Sequence, residues 1–79
     1  MDIKSQVKEF FKENFMVEFD DGFSDSDSFL ENGLIDSTGV LELVLFLEET
    51  FNIKVQDDEI VPENLDSLIH IENYISSKI

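Results

Sequence analysis

The sequence predicts an all-α domain in which three main helices and a short fourth element surround one apolar core. Apolar residues recur at helical spacing in three separate stretches, and alternating strand patterns are absent. The 79 residues contain no internal repeat and no linker, so 1–79 reads as a single domain. Hydrophobic content is 42%, with eight phenylalanines in the chain, too much for disorder despite the charge.

Each element follows from its residues. Ile3, Val7, Phe10 and Phe11 fall at i, i+4, i+7 and i+8 with lysines and glutamates between them, which places a first helix near 3–16. The segment from Asp20 to Ser28 is rich in turn formers and reads as a long loop. Phe23, Phe29 and Leu30 are the residues able to pin that loop to the core. A second helix starts near Asp36 or Ser37 and runs to about Phe51, with Val40, Leu43, Val44, Leu47 and Phe51 in one narrow sector. Asn52 and the β-branched stretch Ile53-Lys54-Val55 end it. Asp57 to Val61 forms one short turn, which Pro62 is expected to stop. Asn64 is the expected N-cap of a last helix that carries Leu65, Leu68, Ile69, Ile71 and Ile75.

The charge excludes whole classes of function. Nineteen acids face five basic residues, giving −14 at pH 7. No basic patch for nucleic acid can be built from that balance, and anionic membrane surfaces are disfavoured. The longest apolar run, Leu43 to Leu47, is five residues, far short of a membrane span. The N-terminus lacks the basic and apolar regions of a secretion signal. Without cysteine there is no disulfide and no thiolate zinc site, and a lone His70 builds no histidine metal site. A monomer in a reducing cytoplasm is the expectation. The charge is also uneven. Residues 1–19 hold four acids against three lysines, which leaves −13 for 20–79. Six of those charges lie in 20–36, where there is no base. Basic protein surfaces are the natural partners of such a chain.

The segment Gly33-Leu34-Ile35-Asp36-Ser37-Thr38-Gly39-Val40 sets a serine at the start of the most hydrophobic helix. Asp36 is suited to cap the free N–H groups there, and an Asp-Ser helix start is by itself ordinary. Beside Ser37, however, the helix wheel carries a stripe of Leu41, Glu42, Leu45, Glu48 and Glu49 on the side away from the core. Exposed leucines interleaved with glutamates suit a docking face better than a solvated one.

Asp36-Ser37, followed by Leu43-Val44 and Leu47-Glu48-Glu49-Thr50-Phe51, resembles the acyl carrier protein signature. Ile53-Lys54-Val55, Asp57-Asp58-Glu59-Ile60, Pro62 to Leu68 and Tyr74-Ile75 match the later helices of that family in order, so the resemblance covers nearly the whole chain. It implies a four-helix bundle of acyl carrier type, with a short third helix and a long loop between helices one and two. It also implies a carrier without catalysis of its own. Ser37 would receive 4′-phosphopantetheine from coenzyme A through a phosphopantetheinyl transferase, and the arm's thiol would carry acyl groups between loading and processing enzymes. Glu42, Glu48 and Glu49 would meet basic patches on those partners, and a sequestered chain would lie near Val44, Leu47, Val55, Ile60 and Leu68. The strongly acidic second helix favours fatty-acid, polyketide or related acyl cargo over an aminoacyl, D-alanyl or peptidyl one. Thr38-Gly39 departs from the leucine that usually follows the serine, which points toward a dedicated pathway. Gly39 also costs the first turns about 1 kcal/mol relative to alanine.

Three rival readings are weaker. A triad of Ser37, His70 and an aspartate lacks any Gly-x-Ser-x-Gly elbow. An EF-hand over 20–31 would place Asp25 where a glycine is required. An unmodified acidic adaptor leaves the serine without a role beyond the helix start.

Overall fold

The computed structural model describes residues 2–19 and 22–79, and it is all-helical among them. Helix α1 spans Ile3–Phe15, α2 Ser37–Phe51, α3 Pro62–Leu65 and α4 Leu68–Lys78, with a 3₁₀ turn at Asp57–Glu59. Three main helices and a short one stand in the expected order.

The first two helices begin and end by the same local devices. The Asp2 side chain accepts a hydrogen bond from Ser5 N (2.7 Å) to open α1, and this bond holds its carboxyl below the usual aspartate range. Both helices close on a left-handed residue, Met16 (φ 56°) and Asn52 (φ 54°). Gly33 (φ 71°) makes the turn before α2, where any side chain would be strained.

Two boundary expectations are corrected. Pro62 starts a helix rather than stopping one: Val61 before it is extended, and a proline at the first helical position forfeits no intrahelical bond. Asn64 lies inside α3, its side-chain amide donating to the Glu59 carbonyl (2.9 Å). The cap of α4 is instead Ser67, whose buried hydroxyl accepts from His70 N (3.1 Å). Leu65 therefore belongs to α3, and His70 is an exposed residue of α4.

Packing joins α1 and α3 to α4. Val7 and Phe11 of α1, Leu43, Val44 and Leu47 of α2, and Leu68, Ile71, Tyr74 and Ile75 of α4 form the buried core with Phe29, Ile35, Val55 and Leu65. Phenylalanines knit it to the loop. Phe29 is fully buried, 4.7 Å from Phe11 between ring centroids and stacked on Phe23. Phe10 stacks on Phe46 across α1 and α2 (4.3 Å).

The loop before α2 is firmly tied. Asp20 and Asp21, where it was expected to start, lie outside the described residues. Beyond them, Lys4 pairs with Asp25 (2.9 Å), and the Asp25 carbonyl accepts from Ile69 N in the first turn of α4 (3.0 Å). Asp66 receives Leu30 N on one carboxylate oxygen (3.0 Å) and the Ser28 hydroxyl on the other, while its carbonyl accepts from Phe29 N (2.9 Å). Phe23 and Phe29 do face the core. Leu30 stays 43% exposed.

A second clamp holds the C-terminal helix. Glu59 accepts from the Tyr74 hydroxyl (3.1 Å), pairs with Lys78 (2.8 Å) and caps Gln56 N (2.9 Å). The Lys78 ammonium holds the Glu59 carboxyl below the usual glutamate range. Burial, and then the bond to Glu59, push the Tyr74 phenol up to about 12. Tyr74 is the only tyrosine, so its phenolate absorbance reports this site alone. The folded protein is expected to titrate near pH 12, and Glu59→Gln to lower that midpoint. Because the phenol is raised when folded, its contribution to stability is complete below pH 10 and is lost as pH rises from 10 towards 12. A native midpoint at the ordinary value of 10 would contradict this placement.

Candidate functional site

The N-terminus of α2 is built by Ile35, Asp36 and Gly39. Asp36 is extended (φ −115°, ψ −174°) and its Oδ1 accepts from Gly39 N (2.8 Å). The cap therefore uses the aspartate and leaves the next residue free. Ser37 sits at the first helical position, exposed, and its hydroxyl makes no hydrogen bond among the described residues. Thr38 is exposed beside it.

Gly39 is buried against the segment that caps its own helix. A Cβ there would lie 2.5 Å from Cγ1 of the buried Ile35, close to its branch point, and 3.5 Å from Asp36 Oδ1. Gly39→Ala should therefore destabilise by up to about 2 kcal/mol: overpacking a tight site costs about 1–3 kcal/mol, against a helix-propensity gain of about 1 kcal/mol. In a denaturation double-mutant cycle, Ile35→Ala should recover part of that loss. Strict additivity of the two changes would refute the contact as the cause.

An open groove of about 250 Å³ begins at Ser37 and runs between the start of α2 and the segment 60–66. Its walls are Leu30, Ile35, Val40, Ile60, Pro62 and Leu65, with Leu41 and Val61 at the sides and Asp66 as its one charged side chain among the described residues. Of the five residues expected around a sequestered chain, Ile60 borders the groove. Val44, Leu47, Val55 and Leu68 are buried in the shared core.

The expected docking stripe divides. Leu41 (58% exposed), Leu45 (57% exposed), Glu42 and Glu49 face outward from α2. Glu48 is half-buried, and its Oε2 accepts from Val55 N (2.9 Å), tying the end of α2 to the following segment. Sequence reasoning missed Leu30, Val40 and Asp66 as groove residues. Asp66 lies in a run matched to the family, but nothing local signals that its carboxylate turns back to the loop.

Among the described residues, no group of three His, Asp or Glu is placed to hold a metal ion, and no helix is long and apolar enough to cross a membrane.

No protein-family model matches the chain. Individual relatives do. The D-alanyl carrier protein of Streptococcus sanguinis (strain SK36) is 42% identical over 59 residues, covering 75% of this chain and 72% of that protein. The D-alanyl carrier protein of Leuconostoc mesenteroides subsp. mesenteroides is 41% identical over 59 residues, covering 75% and 73%. Such identity over most of both partners goes with a common fold, and the helix order found here is the one the carrier resemblance implied. The chain belongs to the acyl carrier protein family.

Proposed function

We propose that this protein is a D-alanyl carrier, modified at Ser37 and without catalysis of its own. The observation that carries the reading is the identity with D-alanyl carrier proteins over three quarters of the chain, in a fold that leaves the Ser37 hydroxyl exposed and without a hydrogen bond among the described residues. A phosphopantetheinyl transferase directs the Ser37 oxygen onto the phosphorus of coenzyme A that bears pantetheine. The P–O bond to the nucleotide breaks, 3′,5′-adenosine bisphosphate leaves, and a base on the transferase takes the hydroxyl proton. The arm supplies a thiol on which the cargo travels as a thioester.

The residues present suit that group. Ser37 offers an unhindered oxygen at a helix N-terminus, where the free N–H groups and the helix dipole favour a phosphodiester. Asp36 adds a like charge beside it, which exposure and salt weaken. Leu41, Glu42, Leu45 and Glu49 form the outward face for partner enzymes with basic patches, and Glu48 helps hold the shape of that face.

Cargo size favours the aminoacyl reading over fatty-acid or polyketide cargo. Pockets for drug-sized ligands run from about 300 to 1,000 Å³. The groove here holds about 250 Å³ and is open, so it suits a short group. The test begins with coenzyme A, Mg²⁺ and a promiscuous transferase, followed by intact mass. A gain of one phosphopantetheine is expected. The loaded protein is then offered D-alanine with ATP and a ligase that activates its carboxyl, in parallel with a fatty acid and its own ligase. Preferential D-alanylation supports the reading, and preferential fatty acylation overturns it in favour of an acyl carrier of lipid synthesis.

A further inference from the structure

We propose that Asp66 determines cargo specificity at the Ser37 groove by receiving the free ammonium of an aminoacyl cargo. This rests on the carrier reading and deepens it. The groove is apolar on nearly every side, and Asp66 is its only charged wall among the described residues. Its carboxylate is held in place, with Leu30 N on Oδ1 (3.0 Å) and the Ser28 hydroxyl on Oδ2. A carboxylate offers about four acceptor positions, so each oxygen keeps one for a further donor. No lysine neutralises it: the ion pairs of the described residues join Lys4 to Asp25 and Glu72, and Lys78 to Glu59.

An anchored, half-buried anion beside apolar walls attracts a cation more strongly than the same group in open water. An aminoacyl thioester presents such a cation on the carbon next to its carbonyl. A simple acyl chain presents none, and a cargo ending in carboxylate is repelled. The selectivity therefore contains both an attraction and a rejection. The groove opens at Ser37 itself, so a flexible arm bonded there brings the cargo back to it.

The test uses coenzyme A derivatives that carry stable amide analogues of the cargo, attached to Ser37 by a promiscuous transferase. Three arms are compared: D-alanyl, N-acetyl-D-alanyl and propionyl. The readout is the backbone amide NMR spectrum of the loaded protein. The D-alanyl arm should move the Leu30 and Asp66 signals relative to the propionyl arm, and the N-acetyl arm, which lacks the charge, should behave as propionyl. Asp66→Asn should erase the difference, because the amide still accepts from Leu30 N and faces Ser28 but no longer carries charge. Its otherwise unchanged spectrum reports that the fold is kept. Asp58→Asn, an exposed change on the 3₁₀ turn, should leave the difference intact. Identical spectra for the D-alanyl and propionyl arms, or a difference that survives Asp66→Asn or vanishes with Asp58→Asn, overturn this inference alone. Failure of any arm to attach overturns the carrier reading and this inference with it.

Discussion

Ser37→Ala is expected to abolish arm attachment outright while leaving the fold untouched. The two effects separate because the cap and the proposed attachment site are different residues. Asp36 Oδ1 holds Gly39 N at 2.8 Å, so removing the neighbouring hydroxyl breaks no bond of the helix start. Ser37 is exposed, and surface changes of this kind usually stay within about 0.5 kcal/mol. Intact mass after incubation with coenzyme A and a transferase should show one added phosphopantetheine for the natural protein and none for the variant. Thermal unfolding of the two should coincide. Attachment to the alanine variant would place the site elsewhere. Equal absence of the arm from both proteins would remove the carrier function itself. The converse change, Asp36→Ala, touches the cap and is no substitute control.

Phe29→Ala is expected to cost about 3–5 kcal/mol, the usual range for truncating a buried phenylalanine. A domain of 79 residues commonly has about 4–12 kcal/mol in hand, so the variant should sit near or beyond its folding limit. Phe29 is fully buried, meets Phe11 at 4.7 Å and stacks on Phe23. Its backbone also joins the loop to the α3–α4 junction through Asp66, and its carbonyl accepts from Leu34 N (2.9 Å). Losing the ring therefore empties the core and loosens the segment that leads to Ser37. Urea unfolding followed by circular dichroism should show the loss, with a fall in melting temperature of about 12 °C or more. A change below about 1 kcal/mol would show that the loop is not part of the cooperative core.

Most of the fold was readable from periodicity. Helices α1 and α2 lie within a residue of their expected limits, because each carries enough apolar positions to declare a face, whereas α4 starts three residues later than expected. The short elements between α2 and α4 were not. Four residues of α3 hold too few positions to show a period, and Pro62 serves equally well after a helix or at the head of one. The core face of α2 was legible for the same reason as its length. Glu48 was not, since a wheel gives direction but not the nearby Val55 N–H that draws its carboxylate inward. The acidity of α2 suggested an acyl cargo, yet the similar proteins are D-alanyl carriers. Surface charge steers the encounter with partners and says little about the group being carried.

Two Asp-Ser dipeptides divide what the sequence determines from what the tertiary structure decides. Sequence alone marks the first as a helix start and the family resemblance singles out its serine, whereas it reads the second as lying inside the last helix. Which residue of each pair serves as the cap is a matter of surroundings. At 36–37 the aspartate caps, its Oδ1 accepting from Gly39 N, and the serine is exposed. At 66–67 the serine caps and is buried, while the aspartate turns to hold Ser28 and Leu30 at the edge of the groove. Local propensity is the same for both pairs. Only the loop packed against α3 and α4 supplies the second pair's aspartate with better partners than its own helix.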